Sequence, residues 1–415
     1  MFLFFVEMWE RFSYYGMKAL LVLYLVDAQR WSVSRAANLY GNYTALVYIT
    51  PLLGGYVADK VLGTRKSLVY GGVIIVCGHF TLAVGGIYSF YIGLGLIILG
   101  TGLFKPNVST MVGQLYAVDD KRRDAGFTIF FMGISVGALF APLACGYLAQ
   151  VVGWNYGFAA AGAGMSLGLI SYLWGRKRYL KGIGYLPPTE GKRGHERPAM
   201  TPQDKRGVLA VIIVVIITIP FWACYEQVGS SLSVFADRHL ARTIGHFEVP
   251  ASWFQSINPV VILAFAPLLA ITWKYLQKLG REPSAPTKMV VGYLFLATGF
   301  AFATWAGFRS ERFLLISPLW FVGTDLFRSW GELMLSPVGL AYVTEMAPTR
   351  FGSQLMAAWF LAEGIGNKLA GSIAALSGSM SAGRFYAIFV ILALASALAL
   401  VGLIPWLKRL SRESS

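Results

Sequence analysis

The sequence is poor in charged residues, cysteine and histidine, and each shortage argues against a class of protein. Only 13% of the 415 residues are Asp, Glu, Lys or Arg, whereas a soluble domain carries about 25%. The three cysteines all fall in apolar runs, so they predict neither a disulfide framework nor a metal site. The four histidines form no metal-binding motif. Because no nucleophile–base pair or metal cluster stands out, we expect neither an enzyme nor a bound cofactor.

Apolar residues are abundant instead, at 56% of the chain, and they gather into twelve runs of membrane-spanning length. The alternating ten-residue segments of a closed β-barrel are missing, so the sequence predicts an all-α polytopic membrane protein. We expect no cleavable signal peptide, because the first run is full length and carries charges. That run starts close to Met1, which leaves open whether native residues precede it. The runs lie near 2–26, 38–58, 67–88, 91–113, 125–149, 157–174, 207–236, 251–273, 289–307, 314–343, 352–377 and 385–407.

The runs divide six and six around a polar, basic stretch. This predicts an N-terminal six-helix bundle at 1–175, a cytoplasmic linker at 176–206 with room for one short amphipathic helix, and a C-terminal bundle at 207–415. With the N-terminus inside, 23 of the 35 lysines and arginines fall in inner loops, linker and tail, and seven in outer loops. The positive-inside rule therefore places both termini in the cytoplasm, in a plasma (inner) membrane. The net charge of +15 follows this loop pattern, so we expect no nucleic-acid partner.

The first run carries an unusual density of ionisable residues. Each charge near the bilayer centre costs ~2.5–3.5 kcal/mol on insertion scales. Glu7 and Arg11 are four residues apart and can pair along a helix. A structural ion pair between helices needs only one acid and one base, so the excess favours a substrate or proton path facing water. The polar residues that share less than half of this helix's circumference are Glu7, Glu10, Arg11, Tyr14, Tyr15 and Lys18.

This stretch, Glu-x-x-Glu-Arg-Phe-x-Tyr-Tyr-Gly at Glu7 to Gly16, resembles the first-helix motif of the proton-dependent oligopeptide transporter (POT) family, within the major facilitator superfamily. The resemblance extends through further motifs as far as Asn367. It implies a major facilitator fold with a central cavity, and a proton-coupled symporter that imports di- and tripeptides by alternating access. It implies a proton-coupling role for Glu7, Glu10, Arg11 and Lys105.

Two further motifs lie in the N-terminal half. The loop Gly55 to Lys66 is similar to the superfamily's Gly-x-x-x-Asp-x-x-x-Gly-x-Arg-Lys loop, in which Asp59 and Arg65 would serve a gating latch; a tight turn obeying the positive-inside rule is the simpler alternative. Lys105 begins a Lys-Pro-Asn motif of the family, where the lysine lies near the substrate carboxylate. Snorkelling of Lys105 to the membrane surface is the alternative.

The fifth run resembles the family's second signature with two departures. Phe131 stands where the family has Tyr, and Ser135 stands at a peptide-binding Asn. A hydroxyl still donates and accepts hydrogen bonds but reaches less far, so the departure bears on the substrate more than on the fold. The four-residue spacing of Gly133 and Gly137 predicts close helix packing.

The C-terminal half contributes acids and tryptophans. Glu226, in the family-like Phe-Trp-x-x-x-Glu-Gln stretch, is a candidate gating partner for Lys18, and Trp222 in the same stretch serves either substrate or packing. Asn258, beside a proline, either faces the peptide's amino end or satisfies freed backbone groups.

Helices ten and eleven add three more acids and a tryptophan. Asp325 and Arg328 can pair along their helix. Glu332 matches the family's ammonium-binding glutamate and has no obvious local partner. Trp359 matches a pocket tryptophan. Glu363, one turn later, either reads a substrate cation or pairs with Lys368.

Cations in one half and acids in the other would orient a zwitterionic peptide by charge alone. The alternatives left open are another substrate on the same fold, such as nitrate, an amino acid or a peptide-like drug, and a nontransporting sensor. We expect a monomer in the bilayer, with peptides and protons as its ligands. The substrate-binding residues that the resemblance implies are Tyr14, Tyr15, Lys18, Tyr48, Lys105, Ser135, Trp222, Asn258, Glu332 and Trp359.

Overall fold

The structure, a computed structural model, describes residues 1–116, 122–184, 200–348 and 351–412. Helices dominate these ranges, and two short strands, β1 (Thr243–Ile244) and β2 (Phe247–Glu248), pair antiparallel in a hairpin. The α-helices of the described chain are α1 (Phe2–Leu23), α2 (Val33–Val57), α3 (Thr64–Val84), α4 (Ile87–Gln114), α5 (Arg122–Tyr147), α6 (Trp154–Tyr179), α7 (Pro202–Tyr225), α8 (Ser231–His239), α9 (Ile257–Lys278), α10 (Ala285–Ser310), α11 (Leu319–Met346), α12 (Gly352–Ala374) and α13 (Ala382–Arg412).

The twelve predicted runs are confirmed as helices in the described ranges. All but α8 have at least the 21 residues of α3, enough to cross a hydrocarbon core of ~30 Å. The predicted run 207–236 differs from expectation, because it contains two helices. α7 ends at Tyr225, a 3-10 turn follows at Glu226–Gly229, and the nine residues of α8 complete the run.

Three of the long helices stand apart in composition. Among the described residues, nine helical stretches are apolar enough to cross a membrane, and α1, α11 and α12 are not among them. α1 carries the charges of the first motif, and α11 carries Asp325, Arg328 and Glu332. Polar chemistry is therefore concentrated on a few helices, while the others supply an apolar frame.

The chain forms two compact units. Unit 1 comprises Met1–Trp31, Leu46–His195 and Val249–Pro259, and unit 2 comprises Ser32–Ala45, Glu196–Glu248 and Val260–Ser415. The bundles predicted at 1–175 and 207–415 stay a prediction, as does the linker at 176–206, of which 185–199 lie outside the described residues.

Unit 1 holds α1 tightly against α5. A side chain at Gly133 would meet the backbone oxygen of Phe4 at 2.8 Å, and one at Gly137 would meet Met8 and Arg11. Only glycine permits such an approach of two backbones. The close packing expected from the Gly133–Gly137 spacing is confirmed, and it fixes the stretch of α1 that carries Arg11.

The turn before α9 also docks in unit 1. This turn, Ala251–Ser256, is a 3-10 helix. The Ser252 amide and hydroxyl donate to Gln150 Oε1 at 3.2 and 2.9 Å, and the Trp253 indole donates to the Leu143 carbonyl at 2.9 Å. The Gln150 side chain thereby satisfies a backbone N–H that the start of this turn would leave unpaired.

Unit 2 joins α12 to α7 and to the first turns of α2 through glycines. A Cβ at Gly41 would lie 2.9 Å from Gly371 Cα, so these two backbones touch. Gly366 faces Trp222 of α7 in the same manner. These contacts bring α2 residues 33–45 into unit 2, next to the interruption between α7 and α8.

Gly229, in that interruption, gives a stability prediction. The space for a Cβ at this position is occupied by the Tyr40 hydroxyl. We expect Gly229→Ala to cost about 1–3 kcal/mol, the usual penalty of overpacking, and to lower the midpoint of thermal unfolding in detergent. Gly402→Ala is the matched control, because a Cβ there meets nothing within 4 Å. Equal midpoints for the two variants would contradict the prediction.

Candidate functional site

In unit 1, α1 buries an arginine between two carboxylates. Arg11 Nε lies 3.1 Å from Glu7 Oε1 and also donates to Glu10 Oε2. The residues are 3%, 1% and 4% exposed for Glu7, Glu10 and Arg11. The predicted i,i+4 pair of Glu7 and Arg11 is confirmed. The two acids and one base form a buried cluster whose net charge depends on how many of the acids hold a proton.

Two hydrogen-bonding atoms of this cluster have no partner among the described residues. They are Glu7 Oε2 and Arg11 Nη2, and both are buried. Buried polar atoms are normally paired, so each such atom needs an explanation. Glu7 also interacts electrostatically with Lys105 of α4. These two atoms without hydrogen-bond partners suit a group that arrives and leaves, such as a proton, a water molecule or a charged part of a substrate.

Tyrosines surround the cations of α1. Arg11 Cζ lies 5.3 Å from the ring centroid of Tyr14, and Lys18 Nζ lies 5.8 Å from the centroids of Tyr14 and Tyr15. Cations within about 6 Å of an aromatic face are stabilised by its quadrupole. Lys18 is 6% exposed. The predicted polar stripe of α1 is therefore lined with alternating charge and aromatic surface.

Lys105 on α4 also has its ammonium group near a tyrosine ring. Its Nζ lies 4.1 Å from the ring centroid of Tyr48 on α2, and the side chain is half-buried. The ammonium thus has a partner inside unit 1, which favours a functional role over snorkelling to the membrane surface. Tyr48 on α2 and Lys105 on α4 therefore belong to the same unit as the Arg11 cluster on α1.

The remaining predicted residues of unit 1 differ in exposure. Ser135 on α5 and Asn258 in the first turn of α9 are both half-buried, and Asp59 is exposed just beyond α2. Arg65 is buried and donates through Nη2 to the carbonyls of Leu180 and, at 3.4 Å, Arg176. A cation there satisfies the free carbonyls at the end of α6. Its gating role with Asp59 stays a prediction.

In unit 2, Glu332 on α11 is held by a tyrosine from α7. The Tyr225 hydroxyl donates to Glu332 Oε2 at 2.5 Å. The Tyr225 ring lies 4.2 Å from Arg328 Cζ, and Arg328 pairs with Asp325 at 2.5 Å, confirming that predicted pair. Tyr225 was missed from the sequence, although its place beside Glu226 in a recognised motif was a usable signal. The sequence indicated no partner for Glu332, because its partner Tyr225 lies on another helix.

Glu226 has a buried partner that the sequence did not indicate. The hydroxyl of Tyr40, on α2, donates to Glu226 Oε2 at 2.8 Å, and both residues are at most 3% exposed. The bond links the first turns of α2 to the interruption after α7 within unit 2. The pairing of Glu226 with Lys18 of unit 1 stays a prediction.

The two predicted tryptophans lie deep in unit 2. Trp359 on α12 is 1% exposed and packs against Gly339 of α11. Trp222 on α7 is 4% exposed, and its indole Nε1 has no hydrogen-bond partner among the described residues. An indole donor is usually paired when buried, so Trp222 retains a donor for a ligand.

Each unit therefore offers its own chemistry. Unit 1 presents guanidinium and ammonium groups with tyrosines, a set suited to a carboxylate. Unit 2 presents carboxylates with tryptophan and tyrosine rings, a set suited to an ammonium group. Within the described ranges, no group of three or more His, Cys, Asp or Glu side chains could hold a metal ion.

Comparisons with known proteins agree with the sequence motifs. The model of the PTR2 family, described as the POT family, matches residues 65–184 and 193–388. The chain is 34% identical to the peptide transporter YePEPT of Yersinia enterocolitica, over 89% of this chain and 86% of that protein. It is also 34% identical to a di-/tripeptide transporter of Lactococcus lactis subsp. cremoris, over 93% and 90% of the two chains.

The solved structures show the same likeness at the level of the fold. The crystal structure of a peptide transporter POT in complex with sulfate matches with a TM-score of 0.91 at 33% identity, covering 99% of this chain and 94% of that one. The predicted major facilitator fold of twelve helices is thereby confirmed.

Proposed function

Because this chain belongs to the POT family of membrane transporters, we propose that it is a symporter that imports di- and tripeptides together with protons by alternating access. The observation that carries the proposal is the buried Arg11 guanidinium between Glu7 and Glu10. Such a cluster is costly in a membrane-spanning helix, and its open hydrogen-bonding atoms match a role in binding and releasing charge. The relatives described above are peptide transporters by name.

The proposed substrate contacts follow the charges of the two units. In unit 1, Lys18 and Lys105 bind the carboxylate end of the peptide, and Tyr14, Tyr15 and Tyr48 cover apolar side chains. In unit 2, Glu332 binds the ammonium end. Backbone and termini are common to all short peptides, so recognition through them admits many sequences. Aromatic surfaces add contact area without requiring one side-chain shape. Trp222, Asn258, Ser135 and Trp359 complete the proposed set.

Proton coupling is proposed to work through competition for Arg11. A proton that arrives at Glu7 or Glu10 neutralises one carboxylate and weakens its ion pair with the guanidinium. Arg11 is then able to turn toward the peptide carboxylate or the other acid. One proton moving down a 100 mV gradient supplies ~2.3 kcal/mol, enough to bias an equilibrium between two states of the carrier. Asp59, Arg65, Lys18 and Glu226 are proposed to stabilise the closed gates.

The orientation and assembly are proposals too. The loop distribution of lysine and arginine supports cytoplasmic termini and an inner (plasma) membrane. Each unit buries its own charged cluster, which supports a monomeric carrier that needs no second copy to complete its chemistry. Protons are the coupling ions in this scheme.

Uptake by reconstituted protein tests the proposal. Proteoliposomes with a more acidic exterior should accumulate labelled dialanine, and collapsing the pH gradient with an ionophore should abolish accumulation. Glu10→Gln is the control, because it removes an acid that the scheme requires and should lose accumulation. Excess dipeptide should compete, and nitrate should not. Competition by nitrate alone would indicate another substrate, and absence of any uptake would favour a nontransporting sensor.

A further inference from the structure

The first turns of α2 are fastened to unit 2 by a tyrosine that the proposed cycle does not use. The hydroxyl of Tyr40 donates to Glu226 Oε2 at 2.8 Å, and both residues are at most 3% exposed. The same hydroxyl fills the space that a side chain at Gly229 would need. Tyr40 therefore reaches both ends of the 3-10 turn Glu226–Gly229, which separates α7 from α8.

Two other contacts join the same three elements of unit 2. Gly41 of α2 and Gly371 of α12 touch through their backbones. Gln227, in the 3-10 turn, donates from Nε2 to the Ala370 carbonyl of α12 at 3.1 Å. Contacts thus connect α2, α12 and the turn in a closed ring. Of these contacts, the bond from Tyr40 is the one that engages a carboxylate, and hydrogen bonds to an ionised acceptor are roughly twice as strong as neutral ones.

The two parts of α2 belong to different units. The helix is continuous over Val33–Val57, but residues 33–45 fall in unit 2 and residues 46–57 in unit 1. The unit 1 part carries Tyr48, whose ring centroid lies 4.1 Å from Lys105 Nζ. Alternating access requires the two units to move relative to one another, so a helix fastened to both must release one of its ends. Release of residues 33–45 from unit 2 breaks the bond between Tyr40 and Glu226.

We propose that Tyr40 is a positioning residue, whose hydroxyl holds the Glu226 carboxylate in place and keeps the first turns of α2 on unit 2 until the carrier changes state. This inference rests on the proposed function, since it assigns one contact of the same cycle. A tyrosine suits the role, because a rigid ring carries the hydroxyl to the turn with only two rotatable side-chain bonds. Without that hydroxyl, a buried carboxylate loses one donor, which destabilises the attached state relative to the released one.

The kinetics of dialanine uptake by Tyr40→Phe test the assignment. The segment before α2 is predicted to face the outside, so release of α2 opens the carrier to external peptide. We expect the KM for external dialanine to fall by about three- to tenfold, because the state that binds external peptide becomes more populated. The maximal rate should fall as well, because the return to the attached state has lost a contact. A general loss of folded protein would lower the maximal rate and leave KM unchanged.

Tyr386→Phe is the matched control, because it removes another buried hydroxyl of unit 2, which donates to the Ser231 carbonyl at 3.1 Å. This variant should leave KM unchanged. A double-mutant cycle with Glu226→Ala isolates the pair, and in that background Tyr40→Phe should change KM by less than about twofold. An unchanged KM in Tyr40→Phe, or an equal shift with and without Glu226, overturns the inference.

Labelling of Thr44→Cys with a membrane-impermeant maleimide measures the release of α2 directly. Thr44 is fully buried on the unit 2 part of the helix. It should become reactive during dialanine uptake, and adding Tyr40→Phe should speed labelling by about the same three- to tenfold. The unaltered carrier, with its own three cysteines, is the blank.

The labelling also decides the question if Tyr40→Phe fails to fold. Thr44→Cys that takes up dialanine without reacting above the blank refutes the release of α2 from unit 2. Absence of dialanine uptake by the unaltered carrier refutes the proposed function instead.

Discussion

Arg11→Lys will reduce proton-driven dialanine uptake at least about a hundredfold, although it keeps the positive charge. The guanidinium contacts both Glu7 and Glu10 through Nε. Lysine carries a compact ammonium without the planar fork of donors, so it cannot reproduce contacts to two carboxylates in the same geometry. Each charge-assisted contact whose geometry is lost in this way costs ~1.5–3 kcal/mol, and two such contacts are affected. A loss of about 2.7 kcal/mol in the rate-limiting step already corresponds to a hundredfold.

The measurement separates coupling from folding and binding. Uptake driven by an acidic exterior is compared with counterflow exchange of labelled dialanine between equal pH values, in the same proteoliposomes. Counterflow should fall less than driven uptake, because exchange does not require a net change in protonation. Arg309→Lys is the matched control, since Arg309 is exposed and its Cζ lies 4.9 Å from the ring centroid of Phe313. Driven uptake by Arg11→Lys within twofold of the unaltered protein would remove Arg11 from the coupling scheme.

The local part of this cluster followed from sequence, and the reason is geometric. Helical spacing of four residues places Glu7 beside Arg11, and spacing of three places Asp325 beside Arg328, whatever the tertiary fold. Helix number was equally accessible, because the length of an apolar run is set by the thickness of the bilayer. The family resemblance, now supported by a match over residues 65–184 and 193–388, supplied candidate roles that periodicity alone does not.

Partners from distant helices were not accessible in this way. Tyr225 and Glu332 are 107 residues apart, and Tyr40 and Glu226 are 186 residues apart. Apolar patterning states which residues are buried in lipid or protein but not which helices are neighbours. The assignment of residues 32–45 to unit 2 and 249–259 to unit 1 depends on glycine contacts and side-chain hydrogen bonds that no single helix contains. Tyr40 was therefore missed, and Tyr225 could be found only from its place in a motif.

Glu332→Gln is the second variant with a large expected effect, and it acts on binding. The amide oxygen of Gln is still able to accept from the Tyr225 hydroxyl, now 2.5 Å from Glu332 Oε2, so the packing of α7 and α11 should persist. The negative charge is lost, and with it the attraction for a peptide ammonium. We expect the KM for dialanine to rise by about thirty- to a hundredfold, because a charge-assisted contact in a desolvated site is worth ~2–3 kcal/mol. The maximal rate should change far less.

A substrate lacking the ammonium distinguishes this role from a structural one. N-acetyl-dialanine presents no cation, so the unaltered carrier should bind it much more weakly than dialanine. In Glu332→Gln the two peptides should bind alike, because the partner that discriminates between them is gone. Such a cycle of one substitution in the protein and one in the ligand isolates the pairwise term. A variant that still prefers dialanine by the original factor would show that the ammonium is bound elsewhere. The acids of unit 2 would then be left with a structural role, and the assignment of the two peptide ends to the two units would fail.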